Sequence, residues 1–208
     1  MHISSNRCKA IENILQSMEI PCPNKKHGCR ETISYGAQRK HEEECIHEPC
    51  HCPLSGCDFV ASLEELTSHF NHKHGDSQNK FCYGHSFIVS LNSNDKTIVL
   101  QEKNDGKLFI LKNKTILLGN TVNICCIGPK YSESKYSYNI LAWSHMSELE
   151  FHSFAKNVQR VTLETLSSEF LVIPFGFSEP LEIEICIRVP CYSMVPPISF
   201  SLLCFFPY

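Results

Sequence analysis

The chain states one pattern of metal-ligating residues twice, and that repetition limits its fold more than anything else in it. Cys22, Cys29, His41 and Cys45 read C-x6-C-x11-H-x3-C, and Cys50, Cys57, His69 and His74 read C-x6-C-x11-H-x4-H. The first three members of each set lie 28 residues apart, and the fourth pair lies 29 apart. Pro21 and Pro49, Gly28 and Gly56, and Ser34 and Ser62 keep the same offset, so one supersecondary unit is written in tandem.

Zinc accounts for the residue types. A structural zinc site closes four Cys or His ligands into a tetrahedron and leaves no position for water. In each unit a tight turn supplies two cysteines and a helix supplies the other two ligands. His41 and Cys45 are spaced to share one helical face, whereas the five-residue step from His69 to His74 asks for a loosened final turn. Ser62 followed by Glu65 is a capping box that opens the second helix. Gly28 and Gly56 suit a turn that needs positive φ just before the second thiolate. Cys52 stands as an alternative to Cys50, giving C-x4-C; the 28-residue register and the Pro49/Pro21 match favour Cys50. His47, His51 and His72 fall outside the register and read as surface histidines, and Cys8 has no partner thiol nearby. A run with so few large apolar side chains cannot fold without metal, so two Zn2+ ions are expected, with binding and folding as one event.

Of the 13 cysteines, six fall within residues 22–57 beside spaced histidines, which points to metal rather than disulfides. Residues 1–9 are polar and carry no signal peptide, so the expected compartment is the reducing cytoplasm, the nucleus or both. With 19 Lys and Arg against 22 Asp and Glu, no strong field recruits nucleic acid or an anionic membrane. The most apolar stretch, 198–208, is about half the length of a membrane span.

Read in order, residues 1–21 hold a small amphipathic helix carrying Ile11, Ile14, Leu15 and Met18, stopped by Pro21. The zinc module covers 22–75 and a polar linker follows it. From Cys82 the texture becomes that of strands, expected at 86–91, 96–101, 107–112, 121–127, 136–143, 149–154, 158–163, 170–173 and 181–189. Asn94-Asp95 and Asn104-Asp105-Gly106 are turn signals between them. Nine short strands in about 110 residues predict an all-β antiparallel sandwich over 82–190. Residues 191–208 form an apolar tail broken by Pro196-Pro197, expected to be loose.

A tandem zinc module followed by a sandwich resembles the SIAH-type zinc finger and substrate-binding domain of the Seven-in-absentia (SINA) ubiquitin ligases, and is most similar to their plant SINA-like branch. The eight ligand candidates fall on that family's pattern; Ile20-Pro21-Cys22-Pro23-Asn24, Gly28-Cys29 and Cys82-Tyr83-Gly84-His85-Ser86-Phe87 also look familial. The resemblance spans roughly residues 7–189. It implies a TRAF-like sandwich that dimerises, with itself or a relative, and captures extended peptides along a strand edge. Family members carry a RING domain ahead of this module. Residues 7–12 look like the segment after its last ligand, and Met1–Arg7 offers only His2, so the expectation is a chain without a RING. A RING acts by holding a charged conjugating enzyme in a reactive geometry. Without one, the chain is expected to bind protein substrates and to meet a conjugating enzyme only through a RING-bearing relative.

Two other functions compete. A nucleic-acid-binding zinc finger fits poorly, because residues 22–74 hold six Lys and Arg against eight Asp and Glu, and three thiolates leave the first site net negative. A Cys-based enzyme would need Cys125 or Cys126 with His145 or His152, yet those thiols sit in an apolar strand where inert cysteines are the rule. Trp143, Tyr136 and Tyr138 could line a peptide groove, but core positions are the simpler reading.

Overall fold

In the computed structural model the described residues are 8–75, 79–92, 95–130, 136–161, 169–177 and 180–189. The apolar tail, His2, and parts of the expected linker, of the Asn94-Asp95 turn and of the 158–163 strand lie outside them.

The first unit begins with helix α1 (Lys9–Ser17), in which Leu15 is half-buried while Ile11 and Ile14 are 57% and 60% exposed; Met18, just past its end, is 47% exposed. The helix ends before Pro21 because Met18 is already extended and strand β1 (Glu19–Pro21) follows it. β1 pairs antiparallel with β2 (Thr32–Ser34), placing Ile20 opposite Ile33. A single 3-10 turn (Tyr35–Ala37) then leads into α2 (Gln38–Glu44). Ser34 precedes that turn without a side-chain cap.

The second unit repeats the plan with β3 (Cys50–His51), β4 (Val60–Ala61) and α3 (Leu63–His74). Here the expected capping box is present in full: the Ser62 hydroxyl accepts from Glu65 N–H, and the Glu65 carboxylate accepts from Ser62 N–H. α3 continues through His74, so the helix itself spans the five-residue step from His69 and only Gly75 tightens into a 3-10 residue.

The sandwich has two sheets. One is ordered β11 (Glu148–Phe154), β10 (Ser137–Trp143), β14 (Leu181–Arg188), β6 (Phe87–Leu91). The other is ordered β12 (Lys156–Val158), β9 (Gly119–Ile127), β8 (Leu108–Ile116), β7 (Thr97–Glu102), β5 (Asn79–Phe81), with β13 (Leu171–Pro174) also paired to β9. Two pairings depart from the antiparallel expectation, since β5 runs parallel to β7 and β12 parallel to β9.

Residues buried one after another in β8 and β9 show what the second sheet does. Phe109, Leu111, Ile124 and Cys126 point between the sheets, onto Tyr138, Ile140, Ile183 and Ile185. Their neighbours Leu108, Ile110, Cys125 and Ile127 point the other way, into a second core completed by Leu66 and Phe70 of α3. A sheet covered on both faces reads as continuous apolar runs rather than alternation. The second zinc unit is therefore the layer that covers the outer face of this sheet. Gln101 ties the seam by donating to the Asn71 side chain (2.9 Å) and to the Gly106 carbonyl (3.2 Å). Gly106, at φ +71°, lets the β7–β8 turn approach α3, where an added Cβ would lie 2.8 Å from the Thr67 methyl.

Candidate metal centres

In the first unit, β1 ends at Pro21 and delivers Cys22 to the start of a tight turn. Cys22 N–H donates to the Glu31 carbonyl (3.1 Å), which closes the base of the turn. A 3-10 segment (Pro23–His27) and Gly28, at φ +104°, then bring Cys29 round beside it. His41 comes from α2. Cys45 lies one residue past the end of that helix, in extended backbone, rather than on its face as the spacing suggested. The four ligand atoms converge within 4.8 Å of one another. His41 Nε2 lies 3.1 Å from the Cys22 sulfur and 3.6 Å from the Cys29 sulfur, and the sulfurs of Cys22 and Cys45 are 3.8 Å apart. Bonds of about 2.3 Å to sulfur directed at tetrahedral corners put two sulfurs about 3.8 Å apart. Asn24 N–H points at the Cys22 sulfur (3.3 Å), as suits a thiolate acceptor.

The second unit corrects one expected ligand. The residues that converge are Cys52, Cys57, His69 and His74; Cys50 is not among them. The paired strands give the reason. Cys50 pairs with Ala61 as Ile20 pairs with Ile33, and His51 pairs with Val60 as Pro21 pairs with Thr32. Cys52 is thus the first residue beyond its strand, and it donates N–H to the Phe59 carbonyl (2.9 Å) as Cys22 does to Glu31. The second turn is two residues shorter than the first, which displaces the first ligand from the 28-residue register while Gly56, at φ +83°, and Cys57 keep it. Cys50 is the counterpart of an apolar strand residue and is fully buried in the core beneath α3.

His69 Nε2 lies 3.3 Å from the Cys57 sulfur. Phe59 stacks on the His69 ring at 3.9 Å between centroids and 8° between planes. His74 Nε2 is buried and has no hydrogen-bond partner in the protein. A buried imidazole nitrogen without a partner is costly, and a zinc ion among these four atoms removes the cost. Both clusters suit one Zn2+ each, and four protein ligands leave no open coordination position.

Burial pushes the Cys22 thiol up to about 12 and the Cys52 thiol up to about 11. Zinc takes the thiolate, so its binding must displace protons from these sites. Burial, reinforced by neighbouring His74 and Lys73, holds His69 below its ordinary value, in the neutral form that ligates metal.

The family model described as "Sina, zinc finger" matches residues 13–84. Among Arabidopsis thaliana proteins, "E3 ubiquitin-protein ligase SINA-like 10" is 31% identical over 185 residues, covering 87% of this chain and 53% of the relative. "E3 ubiquitin-protein ligase SINA-like 7" is 30% identical over 192 residues, covering 89% of this chain and 67% of that protein. "E3 ubiquitin-protein ligase SINA-like 8" is 31% identical over 192 residues, covering 88% and 73%. The chain belongs to the SINA-like family. It spans 53% to 73% of the lengths of these three relatives.

In this SINA-like chain the remaining candidates lie outside the two clusters. His47 and His51 are half-buried, His72 is exposed, Cys8 is exposed, and none of them joins a cluster. Cys125 and Cys126 face opposite sides of β9, and burial pushes them up to about 11 and about 12, away from the thiolate that a nucleophile needs. Their S–H groups point at the carbonyls of Ile110 and Ile127. His152 lies on β11 beside the Glu150 carboxylate (3.0 Å), and His145 is exposed. Tyr138 is a core residue at 1% exposure, Tyr136 stacks on Tyr83 at 5.5 Å, and Trp143 is half-buried. No helix among the described residues is long and apolar enough to cross a membrane.

Proposed function

We propose that this chain is a substrate- or partner-recognition component of ubiquitin-dependent protein degradation. The zinc module acts as a rigid spacer, and the sandwich captures an extended peptide by strand addition. The observation that carries this reading is the composition of the sheet edges. Edge strands are commonly blunted by charge or by being short. β11 carries Glu148 and Glu150, while β5 and β12 are three residues each. β13, though uncharged, has four residues and ends in Pro174; β6 is longer: Phe87-Ile88-Val89-Ser90-Leu91 has five residues and no charge, pairs among the described residues with β14, and leaves Ile88 60% exposed. Its outer edge offers main-chain groups to a peptide, and the side chains beside them supply selectivity.

The two metal centres are coordinatively closed, so they scaffold and do not catalyse. By themselves these 208 residues are expected not to promote ubiquitin transfer; they act by pairing, through the sandwich, with themselves or with a RING-bearing relative. The thiol-rich zinc sites suit the reducing cytoplasm or nucleus, which imaging of a tagged protein checks.

The test is a reconstituted ubiquitination assay with a conjugating enzyme, run with the chain alone and with a RING-bearing SINA-like relative. The expected result is no chain formation alone and altered substrate modification in the mixture, abolished by Ile88→Lys. Ubiquitin chains built by the isolated 208-residue polypeptide would overturn the reading.

A further inference from the structure

The duplicated units differ at one position next to their metals. Glu31 and Phe59 are counterparts: each follows its turn by two residues beyond the second cysteine, and each gives its carbonyl to the first ligand's N–H. Yet each side chain treats the first ligating histidine of its unit differently. The Glu31 carboxylate lies 3.1 Å from Nδ1 of His41, whose Nε2 faces the thiolates. Phe59 instead lies flat on the His69 ring.

We propose that Glu31 and Phe59 are the positioning residues of the two zinc centres, one acting by a hydrogen bond and the other by stacking. The proposal rests on the zinc-ligand reading above. A carboxylate accepting from Nδ1–H places the proton there, leaves Nε2 to the metal and fixes the ring's rotation. The phenyl ring of Phe59 fixes only rotation, by closing off one face of the imidazole.

The surroundings leave the first centre with less apolar packing than the second. Among the described residues its buried cluster is Cys22, Cys29 and Cys45 themselves, whereas Cys52 shares a core with Leu66, Phe70 and β8. The His41 side chain is itself only 15% exposed, and Glu31 is the group placed on its Nδ1. The Glu31 side chain is 70% exposed, so water competes for its bond and a variant there leaves the rest of the fold undisturbed.

Chelator competition on the full chain, followed with Co2+ in place of zinc, separates the centres, because a three-thiolate site absorbs more strongly than a two-thiolate one. Glu31→Ala is expected to weaken the three-cysteine site about tenfold, at the low end of what such partners contribute, and to leave the two-histidine site unchanged. Glu31→Gln, whose amide oxygen still accepts from Nδ1–H, should recover part of the loss. Phe59→Ala should weaken only the two-histidine site. Histidine 15N spectra of the zinc-loaded protein should show His41 protonated at Nδ1, with that proton exchanging faster in Glu31→Ala. Equal titrations for wild type and Glu31→Ala, or equal weakening of both sites, would overturn the proposal. A wild-type chain that takes up no metal would instead bring down the ligand reading, and the proposal with it.

Discussion

At the scale of single residues, Cys50 and Cys52 carry the sharpest prediction. Elemental analysis should find two zinc ions per chain in wild type and in Cys50→Ser, and one in Cys52→Ser, matching the clusters that converge. His41→Ala and His69→Ala should each lose one ion as well. The repeat register pointed to Cys50 because it counts residues along the chain, whereas ligation depends on where a strand ends. The shorter second turn carries no signal of its own in the sequence. Seven of the eight expected residues fall in the two converging clusters, because Cys and His at fixed spacing have few other uses in so small an apolar run.

Glu102 carries a second residue-scale prediction. It is 1% exposed and closes the β7–β8 turn by accepting from the N–H groups of Asp105 (2.8 Å) and Asn104 and from the Asn104 side chain (3.0 Å). Burial alone raises its pKa, but those backbone and side-chain donors outweigh it and hold the carboxyl below the ordinary range. A depressed carboxylate contributes stability that is complete above the unfolded-state value and is lost as pH falls through the folded-state value. Glu102→Gln should therefore destabilise by about 1–3 kcal/mol near neutrality. The deficit relative to wild type should shrink on acidification below about pH 4, as read by urea melts at each pH.

At the scale of elements, α3 belongs to two structures at once. Phe70→Ala removes a fully buried ring from the layer between α3 and β8–β9 and should cost about 3–5 kcal/mol. Its diagnostic result is a lowered melting temperature for the sandwich strands and not for the helix alone. A smaller effect confined to the zinc unit would show that the shared core is not continuous. This double role was hidden in the sequence. The apolar runs in β8 and β9 announced strands, but the direction in which alternate residues pointed required knowing what covered the outer face. The edge strand β5 was missed for a related reason: Asn79-Lys80-Phe81 is polar and short, and only Phe81 is buried. The expected strands near 107–112 and 121–127 proved longer, meeting in a hairpin around Leu117 and Leu118, both highly exposed. Two leucines at a solvent-facing tip read as anything but a turn.

At the scale of the whole molecule, metal removal should divide the chain unequally. A chelator is expected to abolish amide protection in β1, β2 and α2, whose buried cluster among the described residues is made of metal ligands. Protection in β8, β9, β10 and β14 should survive, since their inter-sheet core contains no ligand. Hydrogen exchange on metal-loaded and stripped protein checks both halves; simultaneous loss throughout would mean that the sandwich needs the zinc. The broad organisation, a duplicated zinc module ahead of a sandwich, was legible because ligand spacing and strand texture are local signals. The shared core was not, because it is made by contacts distant in sequence.

The seam under α3 also decides where such a gene can be cut. A fragment begun at Cys82 would strip the cover from Leu108, Ile110 and Ile127 and present them to water as a sticky plate. One begun just before β3 would keep that cover in place. Shortened versions for expression or crystallisation should therefore start between the two repeats.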